Sequence, residues 1–268
     1  MKHILSIQDL SCVGRCSLTV ALPVLSAMGC QCGVLPTAVL STHTGFPDPY
    51  RKALTEDMAA IADHWDRQGI DFDAVSVGYL ADPRQAEAVL PILDRFGKTV
   101  VVDPAMGDHG KLYGGLTADH IPAMAQVCRK AQVLLPNVTE AALLTGLPYR
   151  DNPEEDYLAA LTDGMLALGA EAVVITGVDR ADGTTGFVGA DAGGSFSYRA
   201  ARISKSLHGT GDLFAAVLTG GLMAGKPVRE AATLAARFVE RVVAETEAVT
   251  PFGPEFEAQL PWLWEQMQ

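Results

Sequence analysis

Short apolar runs of strand length alternate with segments of helical period along almost the whole chain. That alternation limits the fold more than any other feature. "HILSIQ" (His3 to Gln8), "CGVLPTAV", "AVSVG", "TVVVDP", "QVLLPN" and "EAVVITG" read as buried strands. Between them lie "SLTVALPVLSAMG", ended by Gly29, and "YRKALTEDMAAIADHWDRQG", with Leu54, Met58, Ile61 and Trp65 at helical spacing. "DPRQAEAVLPILDRFG" has Asp82 as N-cap and Pro83 at the first helical position. "ADHIPAMAQVCRKA", "VTEAALLTG" and "EEDYLAALTDGMLALG" complete the alternation. "TTGFVGA" and "SFSYRAA" flank "DAGG" and predict a β-hairpin. The rest reads as helical: Asp212 to Ala224, Val228 to Thr246, and a short piece near Phe256 to Trp264. Strands alternating with helices predict a mostly parallel sheet covered on both faces. No linker-like segment divides residues 1–268, so one α/β domain is expected.

The charge balance narrows the partners. The net charge is -12 and no Lys/Arg block occurs, which argues against nucleic acid and anionic membrane. The N-terminus reads as a strand rather than a signal peptide, and no apolar run is long enough for a membrane span. A cytoplasmic protein is expected. Cys12/Cys16 and Cys30/Cys32 lack zinc-knuckle spacing, and the odd count of five cysteines argues against a disulfide framework.

In such sheets ligands bind beyond the carboxyl ends of the strands. Asp9, His43, Tyr79, Asp103, Asn137, Thr176 and Asp212 all follow expected strands or open a helix. The usual phosphate motifs are missing: "GLMAGKP" has the wrong Walker spacing, and "GTGDLF" lacks the third glycine of a dinucleotide fingerprint. A nucleophile elbow is absent too. What remains is "HGTGD" ahead of a long apolar helix. Gly209 and Gly211 allow a turn and a close approach, and amides at a helix N-terminus attract anions. A carboxylate in such an anion hole repels a ground-state anion. Asp212 therefore reads either as a base that takes a proton from an alcohol or as a plain helix cap.

Three further segments bear on that choice. "VVVDPAMGDHGKLYG" puts Asp103 ahead of a Gly-rich loop, "LLPNVTEAALLTG" puts Asn137 and Glu140 at a strand mouth, and "SVGYLADP" puts Tyr79 at another. Carboxylates beside an anion hole suit Mg²⁺, which binds through few protein oxygens plus water and phosphates. Asn137 and Glu140 equally fit a capping box.

This order of motifs resembles the ribokinase-like superfamily, and within it the pyridoxal (vitamin B6) kinases. The resemblance is carried by "GTGD" (Gly209 to Asp212), the N-x-x-E of Asn137 to Glu140, "DPAMGD" (Asp103 to Asp108), "GYL" (Gly78 to Leu80), "SIQ" and "THTG" with His43 and Thr44. It implies a ribokinase-like three-layer α/β/α sandwich. It also implies transfer of the ATP γ-phosphoryl group to a hydroxymethyl oxygen of a B6 vitamer. Asp212 is then the base, and Gly209, Thr210 and Gly211 form the anion hole. Asp103, Asn137, Thr176 and Lys205 face the nucleotide, with Glu140 and Asp103 toward Mg²⁺. Asp9, His43, Thr44 and Tyr79 line the pyridine pocket. The same resemblance implies a homodimer and raises a monovalent cation as a further cofactor.

The chain departs from the pyridoxal-kinase pattern at Asp9, where Ser is usual after "SIQ". A sister branch that phosphorylates hydroxymethylpyrimidine carries an acid in this loop, so that activity is the alternative reading. A non-catalytic B6-binding protein is another. The intact base and anion hole argue against it. Trp262 and Trp264 suit either an interface or the domain end.

Overall fold

The computed structural model describes residues 1–205 and 207–268; Ser206, just ahead of the Gly-Thr-Gly turn, lies outside the described residues. The first half runs β1 (Lys2–Ser11), α1 (Leu18–Ala27), β2 (Cys30–Leu40), β3 (Arg51–Ala53), α2 (Thr55–Arg67), β4 (Ala74–Val77), α3 (Gln85–Phe96) and β5 (Val100–Val102). A small hairpin, β6 (Gly107–Asp108) and β7 (Lys111–Leu112), precedes α4 (His120–Cys128), β8 (Val133–Leu134), α5 (Val138–Thr145), α6 (Glu155–Leu166) and β9 (Ala172–Ile175). The hairpin β10 (Thr184–Asp191) and β11 (Gly194–Ala201) leads to α7 (Thr210–Met223), α8 (Val228–Glu245), a 3-10 turn (Glu257–Gln259) and α9 (Leu260–Glu265).

Nine strands form one sheet in the order β11-β10-β9-β8-β5-β4-β1-β2-β3. The pairs from β2 through β9 are parallel; β3 at one edge and the β10/β11 hairpin at the other are antiparallel. The strand period of two assigns alternate residues to two cores. Leu5, Ile7, Val75, Val77, Val100, Val102, Leu134, Val173 and Ile175 pack under α2 to α6. Ile4, Ala74, Val101, Val133, Ala172 and Val174 pack under α1, α7, α8 and α9. The result is the expected three-layer sandwich. Both sheet faces are buried, and for that reason the strands read as continuous apolar runs rather than alternating ones.

Two boundaries differ from expectation. The segment read as one helix from Tyr50 begins with β3, whose Arg51, Lys52 and Ala53 pair with Leu40, Val39 and Ala38. The helix starts only at Thr55. The apolar pattern of Leu54, Met58, Ile61 and Trp65 says nothing about the residues ahead of it. Asp82 does not directly adjoin α3. It accepts from the Arg84 amide at 2.9 Å, and the first turn is closed by Gln85 and Ala86 donating to the carbonyls of Asp82 and Pro83. Trp262 belongs to the domain end: it stacks on Phe238 at 6.2 Å, while Trp264 remains half exposed. Among the described residues no helix is long and apolar enough to cross a membrane.

Candidate active site

The strand order turns back on itself beside β1: β2 leads away on one side and β4, β5, β8 and β9 on the other. A crevice opens at such a reversal, beyond the carboxyl ends of the strands. Asp9 lies in the last turn of β1's pleat, and Tyr79, Asp103, Asn137 and Thr176 follow β4, β5, β8 and β9. The singled-out residues therefore line one sheet edge in spatial order. Asp9 and Tyr79 stand at the crevice, Asp103 in the middle, and Asn137 and Thr176, joined by an isolated parallel bridge, farther along.

The N-terminus of α7 meets this edge near Asp103. Gly209 is its N-cap, with φ 96°. A Cβ there would stand 2.1 Å from the carbonyl oxygen of Arg15. Gly209 is glycine because another backbone occupies its side-chain space. Gly211 is different. A Cβ on it would meet only Asp103 Oδ2, at 3.9 Å, and otherwise open space. The first-turn amides of a helix have no intrahelical acceptor and point outward. Thr210 turns its hydroxyl to the Leu207 carbonyl at 3.3 Å. This leaves an amide-lined opening at Gly211, with room for a ligand.

Asp212 does not cap α7. Its Oδ2 accepts from the Cys16 thiol at 3.2 Å, and the Ser17 amide beside it favours its ionised form. Burial pushes its pKa up to about 6; the two donors hold it back and the neighbouring Asp9 raises it. Asp103 is raised by burial and by Asp212. Glu140, almost fully buried, is raised well above the carboxylate range by burial and by Asp103. Glu140 is buried and Asp103 and Asp212 are half-buried, and together they form a knot of acids in which each disfavours the ionisation of the next.

Asn137 and Glu140 form a complete capping box at α5. Asn137 Oδ1 accepts from the Glu140 amide at 2.9 Å, and Glu140 Oε2 accepts from the Asn137 amide at 2.8 Å. Glu140 also reaches across to β6. Its Oε1 accepts from the Met106 amide at 3.1 Å, and Asn137 Nδ2 donates to the Gly107 carbonyl at 2.8 Å. Capping thus anchors the Gly-rich loop over the acids. Among the described residues no three His, Cys, Asp or Glu side chains form a metal cage. A hard cation that keeps most of its water and takes one or two carboxylates fits this donor set.

On the other side, Asp9 is 4 % exposed. Ser17 Oγ donates to its Oδ1 at 2.5 Å and Ser11 Oγ to its Oδ2 at 2.9 Å. Burial raises its pKa against these donors. Tyr79 is buried, and its phenol oxygen accepts from Arg51 Nη1 at 2.9 Å. His43 is buried with both ring nitrogens engaged: Nε2 against the Pro251 carbonyl at 2.6 Å, Nδ1 accepting from the Gly45 amide at 3.1 Å. It offers a ligand only its ring, and burial lowers its pKa, keeping the ring neutral. Thr44, half-buried, sits in the same turn.

Lys205 is placed differently from the expectation that it faces the nucleotide. Its ammonium donates to the carbonyls of Val243, Ala244 and Thr246 at 3.1, 3.2 and 2.5 Å. All three protons are spent on the C-terminal end of α8, where a cation complements the dipole.

Ser17 and Arg51, which sequence reasoning passed over, belong to this neighbourhood, as do Cys16, weighed there only as a zinc ligand, and Tyr113, noted only as part of the Gly-rich loop. Tyr113's phenol feels Glu140, Asp103 and Asp212 and is raised mainly by burial. Cys16 and Ser17 carry no motif. Only the odd placement of a Cys-Ser pair where a helix cap is expected could have pointed to them.

A family model described as Phosphomethylpyrimidine kinase matches residues 22–254. A Bordetella pertussis protein named pyridoxine/pyridoxal/pyridoxamine kinase is 32% identical over 263 residues, spanning 91% of this chain and 89% of its own. The pyridoxal kinase of Lactobacillus plantarum superposes with TM-score 0.91 at 35% identity, covering 99% of this chain and 98% of that one. A Bacteroides thetaiotaomicron structure, provisionally called a phosphomethylpyrimidine kinase and holding pyridoxal, gives 0.92 at 32% identity, covering 99% and 95%. The superposition extends over nearly the whole of each chain, mostly parallel sheet included. The chain belongs to the phosphomethylpyrimidine kinase family, in its ribokinase-like vitamin B6 kinase branch.

Proposed function

We propose that this kinase transfers the γ-phosphoryl group of ATP to the 5'-hydroxymethyl oxygen of a B6 vitamer. The observation that carries this reading is the setting of Asp212. It is a carboxylate poised near pKa 6, released from capping, and adjacent to the open amides at Gly211. Asp212 takes the hydroxyl proton as the alkoxide oxygen bonds to phosphorus. The bond from the γ-phosphorus to the β,γ-bridging oxygen breaks, and ADP leaves with that electron pair. The amides of Gly209, Thr210 and Gly211 hold the phosphoryl oxygens as charge shifts. Asp9, Thr44, Tyr79 and the His43 ring bound the pyridine side; Asp103, Asn137 and Thr176 bound the nucleotide side.

Asp103 and Glu140 are the residues that would hold Mg²⁺, Glu140 through its remaining lone pairs. When bound, Mg²⁺ screens the phosphate charge and the acid knot together. A second reading, hydroxymethylpyrimidine as acceptor, is favoured by one observation: a buried acid, Asp9, at the end of β1.

ADP release is to be measured with pyridoxal, pyridoxine, pyridoxamine and hydroxymethylpyrimidine as separate acceptors. Turnover with the pyridines supports the first reading. Turnover with the pyrimidine alone transfers it to the second. Tight vitamer binding without ADP release overturns both.

A further inference from the structure

Ser17 occupies the N-cap position of α1, yet its hydroxyl makes no cap hydrogen bond. Its backbone sits at φ 52°, ψ -123°, a region that glycine enters freely and L-residues avoid. The residue is almost fully buried and bridges Leu10 of β1 in antiparallel fashion. Both of its donors face acids. The hydroxyl donates to Asp9 Oδ1, and the amide lies beside the Asp212 carboxylate and favours its ionised form. Asp9 and Asp212 lie on different elements, 203 residues apart in sequence. One residue in a disfavoured conformation joins them.

A serine that capped its helix in the ordinary extended conformation would turn its hydroxyl back toward α1. The observed conformation forgoes that cap and accepts backbone strain. Strain of this kind persists where the surroundings over-determine it, and it clusters at functional sites. The flanking residues supply the over-determination. Cys16 donates its thiol to Asp212 and its amide to Thr19 Oγ1 at 3.1 Å, and Arg15 donates its amide to the Phe252 carbonyl at 2.9 Å.

We propose that Ser17 is a positioning residue whose strained backbone sets the separation and orientation of Asp9 on the acceptor side and Asp212 on the transfer side. The inference deepens the reading of Asp212 as base and rests on it. The hydroxyl serves acceptor binding through Asp9. The amide, aimed by the strained conformation, serves the transfer step through Asp212.

Two variants separate the two duties. Ser17→Ala removes the hydroxyl and keeps the Cβ that holds the strain. KM for the vitamer should rise about 10-fold, a hydrogen bond to a charged group being lost, with kcat within about threefold. Ser17→Gly removes hydroxyl and strain together. Its Tm should lie roughly 2–10 °C above that of Ser17→Ala, which lacks the same hydroxyl but keeps the strain typical of such conformations. Its kcat should nevertheless fall about 10-fold or more, because the amide is no longer aimed. A merely structural Ser17 predicts the same gain in Tm with undiminished kcat.

A Ser17→Gly enzyme with wild-type kcat, or with a Tm below that of Ser17→Ala, overturns the proposal. Asp212→Asn is measured beside it. If that variant keeps wild-type kcat, the base reading itself has failed, and the two failures are told apart.

Discussion

The carbonyl oxygen of Arg15 stands where a side chain on Gly209 would begin, 2.1 Å from the position of its Cβ. Two residues on, Gly211 faces open space beside Asp103. The two glycines of one turn thus serve different ends. Gly209→Ala meets a backbone and a φ of 96°, the latter alone costing roughly 1–2 kcal/mol. It should lower both Tm and activity. Gly211→Ala should leave Tm unchanged or raised, by up to about 1 kcal/mol of helix propensity. Its methyl group enters the phosphoryl space and should reduce kcat by about 10–10²-fold. Thermal melts and steady-state rates on the pair check both statements.

Asp212→Asn should fold normally, since Asp212 caps nothing, and should slow transfer by about 10²–10⁴-fold. More than half of wild-type kcat in this variant removes the base assignment. The pH profile gives an independent reading. A base works ionised, and burial holds this carboxyl near pKa 6. Activity of the wild-type enzyme should therefore be lost as pH falls through about 6 and be level above it. That limb is to be read from kcat/KM, which reports the free enzyme.

Asp9→Asn tests what the acceptor-side acid recognises. Each Asp9 oxygen already accepts one serine hydroxyl, and each keeps a lone pair for a ligand. If it faces the 4-aminomethyl group, kcat/KM for pyridoxamine should fall by about 10- to 150-fold, the worth of a charged hydrogen bond. Pyridoxal should then stay within about threefold. A uniform fall across the three vitamers assigns Asp9 to the ring nitrogen instead.

Lys205→Met should destabilise the fold by about 1.5–3 kcal/mol, three carbonyls losing a shared charged donor. The KM for ATP should remain within about twofold. A large rise in that KM returns Lys205 to the nucleotide.

The alternation of elements was legible because burial on both sheet faces leaves an unbroken apolar signature, and the site motifs were legible because each follows a strand or opens a helix. β3 was hidden: three edge residues carry no period of their own. The grouping of Asp9 with Asp212 was also hidden. It depends on Ser17 adopting a conformation that its side chain does not advertise, and on a contact between segments far apart in the chain. Lys205 shows the opposite failure. A lysine beside an anion hole suggests a phosphate ligand, while the nearby end of α8 supplies three carbonyls that the sequence alone does not place within reach.

The contacts that tie α7 and the 250–257 stretch to the loops after β1 and β2 span long separations in the chain. His43 meets Pro251 across 208 residues, Cys16 meets Asp212 across 196, and Arg15 Nε meets Glu257 Oε1 at 2.7 Å across 242. The sheet beneath needs no such reach: β1 pairs with β2 and β4 from nearby sequence. During synthesis the scaffold can therefore gather while the pocket is still missing one wall, and a nascent chain remains unable to hold its substrate until the 250–257 stretch has emerged.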